Sequence, residues 1–304
     1  MRKVIIIYNP VAGKRKFKQY MPSAEQILTE AGFEVTLMSS TSEPKSVTKL
    51  AEQAARDGYD AVIGAGGDGT INEVVNGLMQ VESRPVLGVM PVGTTNDYAR
   101  ALGLNHDPLE AVRMIADWQT ITVDVGQAND DYFINNAAAG KITEITYAVE
   151  EKKKNRYGRL AYLLDGFKNL PKLSPTKVDV TYDDQNFSGP ILLMFLNKTH
   201  TVGGLESLCP TARLNDGYVD LLILKKVPPL KLLQLFLNLK SGKHLSNENV
   251  IHARVKKVSV HSPETLNISF DGVYGGEAPY EFKVCESALK VFADKEKTRV
   301  KLRD

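Results

Sequence analysis

Residues 62–73 read Val-Ile-Gly-Ala-Gly-Gly-Asp-Gly-Thr-Ile-Asn-Glu, with Asp68 set among Gly64, Gly66, Gly67 and Gly69. An apolar run enters the glycines and a helical pattern leaves them. Such a loop lets backbone N–H groups close on a bulky anion, and the positive end of the helix dipole adds to the attraction. A carboxylate there repels a phosphate unless a cation lies between them. The pattern therefore points to a nucleotide phosphate carrying Mg²⁺, and so to phosphoryl transfer. The plain structural reading, a glycine-rich turn with Asp68 as a turn residue, leaves the glycines with an entropic cost and no use.

Two more loops have related chemistry. Asn9-Pro10-Val11-Ala12-Gly13-Lys14 follows the first apolar run. Arg15 replaces the Ser/Thr that ends a P-loop, but Lys14 can reach phosphate as a point charge; a solvated basic turn accounts for the same residues. Pro91-Val92-Gly93-Thr94-Thr95-Asn96-Asp97 follows the fourth run. There Thr94 can donate to phosphate, and Thr95 or Asn96 can cap the next helix. Asp97 would then lie in a first turn, where a carboxylate is favourable in any helix. Loops at the carboxyl ends of parallel strands line a common crevice, which places these carboxylates together. The literal Gly-x-Gly-x-x-Gly of residues 64–69 is not a dinucleotide fingerprint. That fold requires an acidic residue about 20 positions on, and here the next strand ends in Met90-Pro91.

The elements that position these loops alternate. Strands are predicted at Val4–Tyr8, Glu34–Met38, Ala61–Gly64 and Val86–Met90. Helices are predicted at Phe17–Ala31, stopped by Gly32, at Pro44–Asp57 with Ser42 as cap, and at Asn72–Met79, Thr95–Leu102 and Leu109–Ala116. Continuous β-branched runs between helices predict a doubly wound, mostly parallel α/β sheet. After about Asp124 the pattern becomes mostly β and antiparallel, with strands at Val178–Tyr182, Ile191–Leu196, Tyr218–Leu224, Val255–His261 and Leu266–Asp271. Asp183-Asp184-Gln185-Asn186 is a hairpin connection, and helical stretches lie at Arg159–Leu170 and Leu230–Leu239. The expected division is residues 1–125, with 290–304 returning through a strand at Lys290–Ala293, and a β-rich substrate domain at 126–289.

With 304 residues, 43% hydrophobic and 24% charged, the composition is that of an ordinary globular chain. A net charge of +2 gives no argument for a nucleic-acid partner. Cys209 and Cys285 form neither a disulfide framework nor a zinc pattern. No targeting segment is read, and no window approaches the roughly 18 apolar residues of a membrane span. A cytoplasmic protein is expected, with a homodimer left open.

Taken together, the loops Asn9-Pro-x-x-Gly13, Gly66-Gly-Asp-Gly-Thr70 with Asn72-Glu73, and Pro91-x-Gly93-Thr-x-Asn96-Asp97 resemble the soluble bacterial diacylglycerol kinase and lipid kinase family. The family is related to sphingosine kinases and more distantly to NAD kinases. The resemblance covers nearly the whole chain, including Asn215-Asp-Gly-Tyr-Val-Asp220 and Phe270-Asp-Gly272, which on their own read as ordinary turns.

The resemblance implies an NAD-kinase/phosphofructokinase-like α/β domain beside a β-rich lipid domain, with ATP between them. ATP would contact Asn9, Pro10, Val11, Ala12, Gly13, Lys14, Thr41, Gly66, Gly67, Asp68, Gly69, Thr70, Ile71, Asn72, Glu73 and Thr94. Asp68 and Asp97 would organise the catalytic Mg²⁺, partly through water, with Asp124 in support. Asp271 would be the general base toward the lipid hydroxyl. Asp216, with the carbonyls of Arg213 and Tyr218, would hold a second, structural Mg²⁺.

Two departures stand out. Relatives carry Glu two residues after the Asp-Gly aspartate, where this chain has Val273, with Glu277 four residues later; some carry Lys in place of Asp165. A nucleotide-binding regulator without transferase activity is thus one alternative, and an NAD kinase-like enzyme is another.

A lipid substrate implies peripheral contact with a bilayer. The leucine-rich segment Val227–Leu239, flanked by Lys225, Lys226, Lys240 and Lys243, could lie on an anionic surface, although a mostly buried core helix with basic ends is the favoured reading of the same residues. The basic run Lys152-Lys-Lys154, Arg156 and Arg159 could steer the protein toward such a surface, or be a solvated face.

Overall fold

The computed structural model describes residues 1–10, 19–104, 107–140, 174–203, 205–206, 208–239, 242–298 and 302. Val11 to Lys14, the helix expected over Arg159–Leu170, Asp165 and the basic run at 152–159 lie outside the described residues.

Strand β1 (Arg2–Tyr8), helix α1 (Met21–Glu30), β2 (Phe33–Ser39), α2 (Ser46–Arg56), β3 (Ala61–Gly66), α3 (Asp68–Leu78) and β4 (Val86–Pro91) alternate, and α4 (Asp97–Ala101) and α5 (Pro108–Ala116) follow. The four strands are parallel, in the order β4-β3-β1-β2. Side chains on a strand alternate between faces, so a continuous apolar run requires cover on both. Ile5 and Ile7 pack with Val47 of α2 and Val74 of α3, while Val4 and Ile6 pack with Leu28 of α1 and Ile115 of α5. Each such burial stabilises by about 1.5–3 kcal/mol.

Helix boundaries follow from what the loop side chains do. Gly32, at φ +86°, ends α1. Ser42 does not cap α2, whose N-terminal neighbour Lys45 is left-handed and offers no side-chain cap. Instead the Glu73 carboxylate, from α3, accepts the amides of Val47 and Thr48. Helix α4 begins two residues later than its predicted start because Thr95 and Asn96 are engaged in the preceding loop, with Asn96 at φ +49°.

The second half is antiparallel in every described pairing among its own strands. Its elements are β5 (Thr120–Ala128), β6 (Asp131–Phe133), β7 (Asn136–Ala139), β8 (Thr176–Tyr182), β9 (Gln185–Asn197), β10 (Thr201–Val202), β11 (Leu205–Glu206), β12 (Val219–Lys225), α6 (Pro229–Leu237), β13 (Val250–Val255), β14 (Lys257–His261), β15 (Asn267–Phe270), β16 (Val273–Glu277), β17 (Tyr280–Phe292) and α7 (Lys295–Thr298). The single strand predicted at Val255–His261 is two. At the break, the amides of Lys256 and Lys257 turn to the Asp183 carboxylate, so β13 pairs with β12 while β14 pairs with β8 and β17.

Strand β17 joins the two halves. Tyr280 and Phe282 belong to the β core and Leu289 and Val291 to the α/β core. Val291 pairs in parallel with Leu87 of β4. Between these ends the register against β5 shifts across Cys285 and Leu289, with Ser287 at φ +50°.

Candidate functional site at the junction of the two halves

Strand order places β1 between β2 and β3, so the chain departs to opposite sides of β1 and a crevice opens at the carboxyl ends of β1 and β3. Asn9 and Pro10 leave β1 there, Thr41 leaves β2, Gly67 to Glu73 leave β3, and Thr94 follows β4. Thr94 is exposed. Thr41 is partly committed: its amide and hydroxyl bond the Ser46 hydroxyl at 3.0 and 3.3 Å.

Asp68 opens α3, and its carboxylate ties two loops together. It accepts the Tyr98 amide at 3.0 Å and the Thr95 hydroxyl at 3.1 Å. Asp97 precedes that amide and is buried. Gly67 and Gly93 bring the loops into backbone contact, since a Cβ on Gly93 would stand 2.4 Å from the Gly67 Cα. Asn96 closes the second loop by accepting the Gly93 amide at 3.0 Å and donating to its carbonyl at 3.2 Å. The other glycines have packing uses as well: a Cβ on Gly66 would collide with Thr70, and Gly69 faces Val273.

Asp271 and Gly272 form the two-residue turn between β15 and β16, with φ +50° and +85°. Asp-Gly suits that geometry, in which both central residues are left-handed. The turn is nevertheless not an ordinary surface one. The Asp271 carboxylate points inward, is 6% exposed and accepts four hydrogen bonds. Oδ1 takes the amides of Asn135 and Asn136, each at 2.8 Å; Oδ2 takes the Ile134 amide at 3.0 Å and the Asn72 side chain at 2.8 Å. Burial pushes this carboxyl from 3.8 up to about 6, against the downward pull of the four donors.

Asn72, in the helix that Asp68 opens, also donates to the Tyr132 carbonyl at 2.9 Å, so it clamps the β half to the glycine-loop helix. Tyr98 is a residue that sequence reasoning did not select. Its hydroxyl is buried and has no hydrogen-bond partner. Burial, and then the charge of Asp271, push its phenol far up, which keeps it a donor. Burial also raises Glu73, against the two α2 amides that it accepts, so its carboxylate serves a helix end.

Asp124 stands in a second group. It accepts Gly217 N at 2.8 Å, Ser287 N at 2.9 Å and Lys198 Nζ at 3.0 Å. Lys198 also donates to the Tyr218 carbonyl at 2.6 Å and lies 3.6 Å from Asp216 Oδ1, while Arg254 pairs with Asp216 Oδ2. Arg213 directs its guanidinium back to the carbonyls of Pro210 and Ala212. Lys198 carries no periodic signal in the sequence; it follows a buried strand and becomes visible only when β5 and the 213–218 loop converge on it.

Two family models divide the chain. The diacylglycerol kinase catalytic domain matches residues 3–128, and the YegS C-terminal NAD kinase beta sandwich-like domain matches residues 135–293. The chain is 42% identical over 298 residues to the diacylglycerol kinase of Bacillus subtilis (strain 168), covering 98% of each. The chain belongs to the diacylglycerol kinase family. In this family of lipid kinases it is also 40% identical to the diacylglycerol kinase of Staphylococcus epidermidis, covering 97% of this chain and 93% of that one. A crystal structure of a diacylglycerol kinase from Bacillus anthracis superposes with a TM-score of 0.81 at 27% identity, covering 97% of this chain and 98% of that one. The two family models correspond to the α/β half and the β-rich half of the fold.

Proposed function

We propose that this family member transfers the γ-phosphoryl group of MgATP to the hydroxyl of diacylglycerol or a related lipid alcohol. The observation that carries the reading is Asp271. It is a buried carboxylate raised to about 6, held between the glycine-loop helix and the β half. A base near the working pH is effective in proton transfer. All its lone-pair directions are engaged, and Asn72 is the one side-chain donor among the four. When that amide turns away, Oδ2 is free for the acceptor hydroxyl and the backbone donors still hold the carboxylate. The hydroxyl oxygen then bonds to phosphorus, its proton passes to Asp271, and ADP leaves.

No group of three His, Cys, Asp or Glu side chains suited to a metal occurs among the described residues. Mg²⁺ in kinases needs only one or two carboxylates, with phosphate and water completing its shell. Asp68 fits that requirement: two of its roughly four acceptor directions are used, and buried Asp97 lies beside the amide it accepts. When bound, the ion supplies charge neutralisation on the phosphates. The backbone approach of Gly67 to Gly93 shapes the phosphate loops, and Thr94 lies exposed beside them.

No helix among the described residues is long and apolar enough to cross a membrane. Peripheral contact is supported by α6, where Leu232 and Leu235 pack into the fold while Leu230 and Leu237 are 80% and 70% exposed.

The test supplies labelled ATP and Mg²⁺ with diacylglycerol, phosphatidylglycerol, a sphingosine-type base or NAD, and follows the label. Transfer to diacylglycerol is expected. Label in NAD alone would sink the lipid reading, and ATP binding without any transfer would favour a regulator, with Val273 in place of Glu. Gly93→Ala should strain the paired loops by about 1–3 kcal/mol and weaken ATP by about 10–100-fold in a calorimetric titration. Unchanged affinity would remove these loops from the nucleotide site.

A further inference from the structure

The family resemblance implies a structural Mg²⁺ at Asp216 and the carbonyls of Arg213 and Tyr218. The residues present do not fit one. Lys198 is 1% exposed, and its Nζ lies on the Tyr218 carbonyl at 2.6 Å, on Asp124 Oδ2 at 3.0 Å and 3.6 Å from Asp216 Oδ1. The other Asp216 oxygen is paired with Arg254. The Tyr218 carbonyl and Asp216 Oδ2 are therefore already accepting from cationic nitrogens, and Asp216 Oδ1 takes the Tyr218 amide at 3.1 Å. Charge leads to the same conclusion. Asp124 and Asp216 carry two negative charges, and Lys198 and Arg254 carry two positive ones. The adjacent Lys256 and Glu286 form their own pair. A divalent ion would add uncompensated charge beside a buried ammonium, and Mg²⁺ demands a near-octahedral oxygen shell that this cluster does not offer.

We infer that the Lys198 ammonium is a built-in replacement for the structural metal ion. Two segments meet on its Nζ: β5 through Asp124, and the 213–218 loop through the Tyr218 carbonyl with Asp216 beside it. The same Asp124 carboxylate accepts Ser287 N from the irregularity in β17. The Lys198 amide donates to the Asn135 carbonyl at 2.9 Å, and the Asn135 amide donates to Asp271 Oδ1. The backbone at residue 198 thus lies one peptide unit from the candidate base, while its ammonium holds the Asp124 and 213–218 cluster. This assignment rests on the charge and contacts of the cluster and holds whichever lipid is the acceptor.

The experiment uses the nucleotide-free full chain. Crystals of the wild type and of Lys198→Met are soaked in Mn²⁺, and anomalous maps are calculated. Melting is followed in EDTA and in millimolar Mg²⁺. The wild type is expected to show no Mn²⁺ peak on Asp216. Lys198→Met retains the stem and leaves the oxygens without their ammonium; it is expected to gain a peak there, and Mg²⁺ should raise its melting temperature by about 5–10 °C more than that of the wild type. A residue with a merely structural role would not yield a divalent-dependent rescue. A Mn²⁺ peak on Asp216 in the wild type overturns the inference, as does a variant with neither peak nor added Mg²⁺ response. Should the variant not fold, the wild-type map decides alone: a peak overturns the inference and its absence supports it. Failure of lipid phosphorylation would leave these readouts intact.

Discussion

Asp271→Asn is expected to lower kcat for lipid phosphorylation by about 10²–10⁴-fold while ATP still binds. The substitution removes the base and also disturbs its cradle. Three of its four partners are backbone amides, and the fourth is the Asn72 side-chain amide. An asparagine amide placed toward Oδ2 would face the Ile134 N–H donor to donor, and a buried donor without an acceptor costs about 1–3 kcal/mol. Melting should therefore fall along with kcat, whereas ATP affinity, measured directly, should not. The wild-type profile of kcat/KM should rise with pH to about 6 and then level, because the carboxyl must be ionised to accept a proton. The stability contribution of the same group has the opposite sign. With its folded value raised from 3.8 to about 6, it is fully present below 3.8 and is lost as pH rises through 6. A flat rate profile across pH 6, or wild-type turnover in the variant, would remove Asp271 from the base role.

Asp68→Asn should behave differently. One Asp68 oxygen faces an amide donor and the other faces a hydroxyl, which can accept as readily as donate. Asparagine can therefore keep both contacts, with its oxygen on the Tyr98 amide and its nitrogen on the Thr95 hydroxyl. Folding should be preserved within about 0.5 kcal/mol, and the lost charge becomes the main change. Loss of one electrostatic stabiliser at a phosphoryl-transfer site predicts a fall of about 10²–10³-fold in kcat/KM for ATP. Half-maximal activity should also require more Mg²⁺. A variant with the wild-type Mg²⁺ requirement would exclude a metal role for Asp68.

The α/β half was legible because its signals are local. A run such as Val4–Tyr8 is apolar at every position, and only a strand covered on both faces can bury it. Where prediction slipped, a distant side chain had intervened. Glu73 supplied the amide acceptor that Ser42 was expected to provide, and Asp183 drew two amides out of what had read as one strand. Strands β5, β6, β7, β10, β11, β13 and β16, and β17 before Lys290, were missed. Asn136–Ala139 has little β propensity and is held by β9 and β15, while Val250–Val255 runs into the next strand without turn residues.

For the site, the sequence alone determined which residue types follow which strands: glycines and Asp68 after β3, Gly93 and Asp97 after β4, and an Asp-Gly turn far downstream. Spacing along one chain segment is enough for that, because parallel topology sends those loops to one edge of the sheet. Only the tertiary structure decided that Asp271 faces inward onto Asn72, 199 positions earlier, and that burial outweighs four donors at its carboxyl. It alone placed Lys198 between Asp124 and the Tyr218 carbonyl. Desolvation and charge pairing depend on what surrounds a group in space, and residues remote in sequence provide those surroundings.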